Sequence, residues 1–586
     1  MSKWFIYNKK ENYDKLNKYS SLTSLQKLIL ANRDLTRENE LEPFVDPDVN
    51  NMHDPFLMKD MSLAVDFIFE SILAAKRICI IGDYDADGVS ATTILVKGIS
   101  LFHQDIGYII PDRVEDGYGL SKALVDQAYQ MGVDLIITCD NGIAAHEAID
   151  YAKDKGLDVI VTDHHEVVKV EGKENLPRAV AVINPHQKDC NYPFKGICGA
   201  VVAYKLIDAL YMRYGYDLGI NKAYVHDLLQ FAAIGTVSDV MDLVDENRLI
   251  VIEGLKLLNN TSNLGMQILL EYLNWHKEIT VYTLGFIIGP TINATGRLFS
   301  AKLAVELFLS SDIKTLHAYA SELVSLNSER KEMTRQSELE AIEKVLEEEK
   351  QDDDIIILYM PNTHESICGL VAGRVKERFN RPTIVFTDAA SQENDLLKAS
   401  GRSIENYDMH ANLSLLRDYY ESFGGHKMAC GLSIKKEKLP AFKNELLSQS
   451  KLGPKDFIKT INVDAHLSLR TINFNLIEQI QALEPYGKGF ESPKFASKNV
   501  IINNIAILGK NRNLVKLNLS QNQSSQEAIS FDPQGLLKVL EDKFQYQDIE
   551  NKLHLLIGKD IDILYRLNVN EFNGNKTIQL ILEEIR

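Results

Sequence analysis

The segment Asp83-Tyr84-Asp85-Ala86-Asp87-Gly88 places three carboxylates within five residues, directly after the apolar run RICIIG at 77–82. Ionised carboxylates at that density repel one another unless cations neutralise them. Two more apolar runs end in the same way: VDLIIT leads into Cys139-Asp140-Asn141-Gly142, and LDVIVT into Asp163-His164-His165-Glu166. A further segment, FAAIGTVSDVMDL, delivers Asp239 with Asp242 close behind. Any one Asp after a strand can serve only as the N-cap of the next helix. Four such elements in one chain point instead to cation chemistry. Oxygen ligands with one or two imidazoles suit a pair of hard or borderline ions, Mn²⁺ or Mg²⁺, and the imidazole tilts the choice toward Mn²⁺.

These groups need a frame that brings distant segments level. Each apolar run is brief and apolar on both faces, and helical stretches such as SKALVDQAYQMG and AAHEAIDYAKDKG separate them. The alternation predicts a parallel α/β sheet with the acidic groups past the carboxyl ends of its strands, where open sheets form their ligand crevice. In an extended segment, alternation would also turn the three carboxylates of DYDADG to one side. The Pro-free stretch from about 310 to 350 reads as a long connecting helix. A second α/β alternation follows, from DIIILYM through GLVAGRVKERF and PTIVFT to GLSI. After about 455, INVDAHLSL, VIINNIAIL, LVKLNLS, AISF and LHLLIG read as short strands of a small, OB-like barrel. The expected division is an N-terminal segment at 1–75, a first α/β domain at 76–245, a helical region at 246–350, a second α/β domain at 351–454 and the barrel at 455–586.

Composition limits the function classes. A chain of 586 residues needs several cores, and 45% hydrophobic with 25% charged residues is ordinary for folded domains. A formal charge of −18 argues against nonspecific coating of nucleic acid, so any nucleic-acid site is a local groove. No apolar run of membrane-spanning length and no leader pattern occurs, and six scattered cysteines without a CxxC pair fit a reducing cytoplasm. His186, Cys190 and Cys198 lack a fourth ligand at finger spacing, so zinc is not assigned, and no GxxxxGK[ST] order supports a nucleotide loop.

DYDADG, CDNG, DHH and the later SD, in that order, resemble the four motifs of the DHH phosphoesterase superfamily. The resemblance implies hydrolysis of phosphoesters by an activated water at two metal ions. Position by position it makes Asp83, Asp85, Asp87, Asp140, His164 and Asp239 the metal ligands, with Asp85, Asp140 and His165 carrying catalysis and His165 stabilising developing charge. PDRVEDGYGLS at 111–121, GPTINATGRL at 289–298, LEPYGKGFESP at 483–493, ASGRS and FGGHKMACG are similar to the RecJ branch and extend the match over nearly the whole chain. On that likeness Arg113, Arg297, Arg374, Arg402 and His426, expected in Gly-rich turns, bind the nucleic acid, and Ser400 adds a hydroxyl donor. Thr291 stands where the family's GPRxNAxGR pattern has arginine.

RecJ resemblance implies a monomeric 5′ to 3′ exonuclease on single-stranded DNA that releases 5′-mononucleotides, serves DNA repair and recombination, and works with a single-strand-binding protein and a helicase. Two alternatives share the fold: a phosphodiesterase of oligonucleotides or cyclic dinucleotides, and a catalytically inactive single-strand-binding replication factor. The barrel disfavours the first, since such barrels grip single strands; the complete acidic motifs disfavour the second.

Overall fold

The three apolar runs that end in acidic groups are neighbouring strands of one sheet. β1 (Ile78–Ile81), β2 (Ile106–Ile109), β3 (Leu135–Cys139), β4 (Asp158–Thr162) and β5 (Ala181–Ile183) lie in the order β2-β1-β3-β4-β5, all parallel. Ile81 is level with Thr138, and Cys139 with Thr162, so the residues that follow emerge along one edge. Helices cover the sheet, as parallel sheets require. Cys79, Ile81, Ile136 and Val161 pack with Leu124, Val125, Ile149 and Ala152 of the intervening helices. α1 (Ala86–Ser100) and α2 (Gly199–Leu210) pack on β1, β3 and β4, and α3 (Leu229–Ser238) packs on both helices. Each fully buried Ile or Val contributes roughly 1.5–3 kcal/mol, which makes this edge a rigid platform.

This computed structural model describes residues 2–586 except 114, 115, 118, 390–394 and 573. Val114, Glu115 and Tyr118 of PDRVEDGYGLS therefore lie outside the described residues. The chain forms two units: Val49–Met241 with Ile250–Lys459, and Met1–Asp48 with Asp242–Leu249 and Thr460–Arg586.

In the larger unit, α4 (Gly289–Leu298) precedes α5 (Ile313–Glu347), the expected long helix, with 35 residues and a length of about 52 Å. Beyond it, β6 (Ile356–Tyr359), α6 (Cys368–Phe379), β7 (Thr383–Asp388), β8 (Leu396–Arg402), β9 (Tyr420–His426) and β10 (Ala429–Lys435) form the second α/β domain. Its sheet runs β9-β10-β8-β7-β6, parallel only between β6 and β7. Ile356, Leu358 and Val385 pack against Ala341 and Val345 of α5 and Val371 and Ala372 of α6. The long helix therefore shares a core with this domain.

In the smaller unit, β11 (Phe495–Leu508), β12 (Leu514–Gln521), β13 (Ser524–Ser530), β14 (Asp560–Phe572) and β15 (Asn575–Ile585) run in the order β11-β12-β13-β15-β14, and β14 returns to β11. The sheet closes into a five-stranded barrel. Register shifts at 497–500 and 502–504 bend β11 enough to pair with both β12 and β14. LHLLIG, expected as a strand, is instead a short helical turn, Leu553–Leu556, whose Leu556 is buried in the barrel core. Its apolar residues do not alternate, whereas IDILYRLNVN in β14 does. The expected N-terminal stretch 1–75 divides between the units. Leu16, Ile29, Leu30, Leu41 and Phe44 join the barrel core beside Phe490 and Phe495. No helix among the described residues is long and apolar enough to cross a membrane.

Candidate active site

The start of α1, the N-terminus of α2 and a short loop, rather than strand alternation, place the carboxylates of DYDADG. β1 ends at Ile81, and Asp85 is already the N-cap of α1, its Oδ1 accepting from the Asp87 and Gly88 N–H groups at 2.9 and 3.0 Å. Asp87, in the first turn, accepts from Gly199 and Ala200 N–H at 2.7 and 2.9 Å, so the N-terminus of α2 holds it. Asp83 lies in the intervening loop, and its buried Oδ1 has no hydrogen-bond partner among the described residues.

Asp140 follows β3 with φ 60°, which turns its carboxylate back across the edge. A Cβ on Gly199 would sit 2.6 Å from Asp140 Cβ, and one on Gly235 2.4 Å from Asp87 Oδ1. Both glycines are required for helices α2 and α3 to approach this closely. His164 Nε2 lies 3.1 Å from Asp140 Oδ1, and 3.8 Å from both Asp87 Oδ2 and Asp239 Oδ2.

Three overlapping groups have ligand atoms within 4.8 Å of one another: Asp83, Asp85 and Asp140; Asp87, His164 and Asp239; and Asp140, His164 and His165. Asp140 belongs to the first and third of these groups, and His164 to the second and third. Burial pushes Asp83 up to about 8, helped by Asp85. Burial also raises Asp85, with Asp87 adding to it, and holds Asp140 well above the usual carboxylate range, with Asp87, Asp85 and Asp83 adding to it. These carboxylates favour ionisation only when cations are supplied. Burial lowers His164, keeping the neutral imidazole that ligates metals. An oxygen-rich set with one neutral imidazole and an unsatisfied buried oxygen on Asp83 fits a divalent pair.

His165 behaves oppositely. Burial opposes its charge, but Asp163 Oδ1 at 2.7 Å from Nδ1, with Asp239 and Asp87 nearby, raises it to about 9. Burial works against Asp163 as well, yet His165 and the N–H groups of Ile143 and His165 keep it below the ordinary carboxylate range.

Family profiles match three stretches: the DHH family, N-terminal domain, at residues 77–236, the DHHA1 domain at 352–451 and the RecJ OB domain at 463–584. The single-stranded-DNA-specific exonuclease RecJ of Bacillus subtilis (strain 168) is 33% identical over 566 residues, covering 96% of this chain and 68% of that protein. The Escherichia coli (strain K12) protein of the same name is 32% identical over 584 residues, 97% of this chain and 96% of its own. The chain belongs to the RecJ family. The crystal structure of RecJ from Thermus thermophilus in complex with Mn²⁺ matches with a TM-score of 0.81 at 25% identity, over 100% of this chain and 79% of that one.

Around this acidic edge the arginines selected from sequence fall into unequal positions. Arg113 stacks on Tyr84 at 5.0 Å. Arg297 donates to the Ser366 carbonyl. Burial lowers Arg297 to about 10, with Arg113, Arg330 and Arg402 repelling it further. Ser400 lines a cleft of about 270 Å³ with Tyr84, Arg113, Ser366 and Lys398. Arg374 is more exposed, 3.9 Å from Glu338 and 3.8 Å from Glu377. His426 ends β9, exposed, its Nδ1 accepting from Met428 N–H. Turn-like settings were expected for these groups; Arg297 and Arg374 instead ride on α4 and α6, and Arg402 closes β8. Gly296 of α4 lets that helix approach Tyr84, since a Cβ there would lie 2.3 Å from the Tyr84 carbonyl oxygen.

Sequence reasoning left five residues around this site without roles. Asp163 orients His165, and Asn293 Oδ1 accepts from Ala86 N–H at 2.8 Å, docking α4 on the start of α1. Gly199 and Ala200 act through backbone that no side-chain pattern reveals. Arg330 lies in a charge-rich helical stretch with nothing to single it out. Thr291 is fully buried, donates to the Ile287 carbonyl at 2.7 Å and does not reach the cleft.

Proposed function

We propose that this chain is a divalent-metal-dependent exonuclease of single-stranded DNA, working 5′ to 3′ and releasing 5′-mononucleotides in DNA repair and recombination. The observation that carries the reading is that the groups Asp83, Asp85, Asp140 and Asp87, His164, Asp239 meet through Asp140 and His164, 3.1 Å apart, beside a set of arginines on the same unit. The RecJ relatives are single-stranded-DNA-specific exonucleases, and one solved relative carries Mn²⁺. Polarity and product rest on family resemblance.

In this reading Asp83, Asp85, Asp87, Asp140, His164 and Asp239 hold two Mn²⁺ or Mg²⁺ ions, which supply Lewis acidity and a nucleophilic water at neutral pH. The chain's own groups do the rest. His165 keeps a proton on its imidazole near neutral pH and stabilises charge growing on the phosphate. Asp163 fixes that ring. Arg113, Arg297, Arg402 and Ser400 grip phosphates of the strand, with Arg374 and His426 further along its course. The barrel gives nucleobases a second surface.

Six cysteines, all free, accord with a reducing cytoplasm. The enzyme acts as a monomer on strands that a helicase and a single-strand-binding protein provide, since a single-strand substrate must first be unwound. End-labelled single- and double-stranded oligonucleotides incubated with Mn²⁺ or chelator test the reading. Labelled mononucleotide should come from the single strand alone, and only with metal.

A further inference from the structure

Arg330, on α5, donates from Nε and Nη2 to Asn327 Oδ1 at 3.2 and 2.9 Å. Asn327 Nδ2 in turn donates to Thr291 Oγ1 on α4 at 2.9 Å. Asn327 is 3% exposed and Thr291 fully buried, so this relay is shielded from water. Its direction is set. Thr291 spends its proton on the Ile287 carbonyl at 2.7 Å and can only accept from Asn327. The Asn327 carbonyl oxygen must then face the guanidinium, because the amide turned round would oppose donor to donor. A hydrogen-bonded line from α4 thus aims an arginine on α5.

That arginine has no carboxylate within ion-pair distance among the described residues. Its neighbours are cations: Arg297 and Arg374 both repel it. A guanidinium offers five donors, and Asn327 takes only two. A half-buried arginine held in place among like charges, with a free edge, has the chemistry of an anion receptor.

We infer that Arg330 binds a backbone phosphate of the single strand, and that Asn327 and Thr291 are positioning residues that hold its guanidinium. The inference rests on the nuclease reading, and names a contact that the motifs do not.

The test uses the full chain and a single-stranded oligonucleotide. Binding is measured in Ca²⁺ across a salt series, and steady-state cleavage in Mn²⁺, for wild type, Arg330→Ala, Arg330→Lys, Thr291→Val and Thr291→Ser. Arg330→Ala should raise Kd and KM about tenfold or more, with kcat changed by less than about threefold. Its salt dependence should be shallower by about 0.7 in the log–log slope, one phosphate contact's worth. Lysine should recover that slope but only part of the affinity, lacking the fork. Thr291→Val, near in shape but unable to accept, should weaken binding, and Thr291→Ser should restore it. Wild-type Kd and salt slope in Arg330→Ala would overturn the inference. Were Arg330→Ala to melt early, unaltered binding by both Arg330→Lys and Thr291→Val would overturn it equally. Failure of the nuclease reading shows separately, as wild type that leaves single strands intact in Mn²⁺.

Discussion

Asp163 Oδ1 lies 2.7 Å from His165 Nδ1, and this pair gives two adjacent histidines opposite protonation states. His164, buried beside Asp140, stays neutral and available to a metal, while His165, bonded to an ionised Asp163, rises to about 9 and holds its proton. The residue that opens the DHH triplet serves the third residue, so the motif combines a neutral imidazole with an oriented, protonated one.

Asp163→Asn should therefore change a pH profile more than a fold. Wild-type turnover should hold until pH approaches about 9, where His165 loses its proton. Without the carboxylate, that alkaline limb should move toward the ordinary histidine value of 6.5. The sign for stability is the same: a raised histidine pKa contributes stability below 6.5, lost as pH rises through about 9. His165→Ala should lower kcat about a hundredfold to a thousandfold with little change in Mn²⁺ affinity. Rate profiles from pH 6 to 10 at saturating oligonucleotide check both.

Proton release should accompany metal binding. With Asp83 raised to about 8, the metal-free site retains protons that divalent ions must displace. Mn²⁺ affinity should rise between pH 6 and 8, with calorimetric heats that depend on the buffer's ionisation enthalpy. The raised carboxyl pKa also means that metal-free protein loses stability as pH climbs from about 4 through 8. Added Mn²⁺ should restore the melting temperature most at the alkaline end.

Gly199→Ala probes the close approach of α2 to Asp140. Its methyl would sit 2.6 Å from Asp140 Cβ, so backbone or carboxylate must shift. We expect about 1–3 kcal/mol of lost stability, together with weakened Mn²⁺ binding. Denaturant melts with and without Mn²⁺ distinguish this from simple overpacking, which would cost the same in both.

Much of this frame was legible in the sequence because its signals are local. Doubly apolar runs ending in Asp or His marked β1, β3 and β4, and strands of four or five residues in register leave few other places for those groups. The α5 helix and most of the barrel strands followed from periodicity. Missing were relationships between segments far apart in the chain: Asn293 capping α1, the N-terminus of α2 gripping Asp87, and the relay to Arg330. The carboxylates of DYDADG were expected on a strand, but the N-cap at Asp85 starts a helix there. The N-terminal residues gave no pattern because their apolar side chains complete a core supplied by residues more than four hundred positions later.

Asp140→Asn should abolish the junction between the ligand groups. Mn²⁺ affinity and single-strand cleavage should both fall by more than about a hundredfold, beyond the effect of losing an outer partner of a ligand. Circular dichroism should remain that of wild type, since burial disfavours the charge that the substitution removes.

The most direct measurement is Mn²⁺ titration of the metal-free chain, with bound equivalents counted and degradation of a 5′-labelled single strand followed in the same samples. We predict two equivalents per chain, with mononucleotide release rising as the second binds. Undiminished cleavage of the single strand by chelated protein, or saturation at a single equivalent with full activity, would contradict the account.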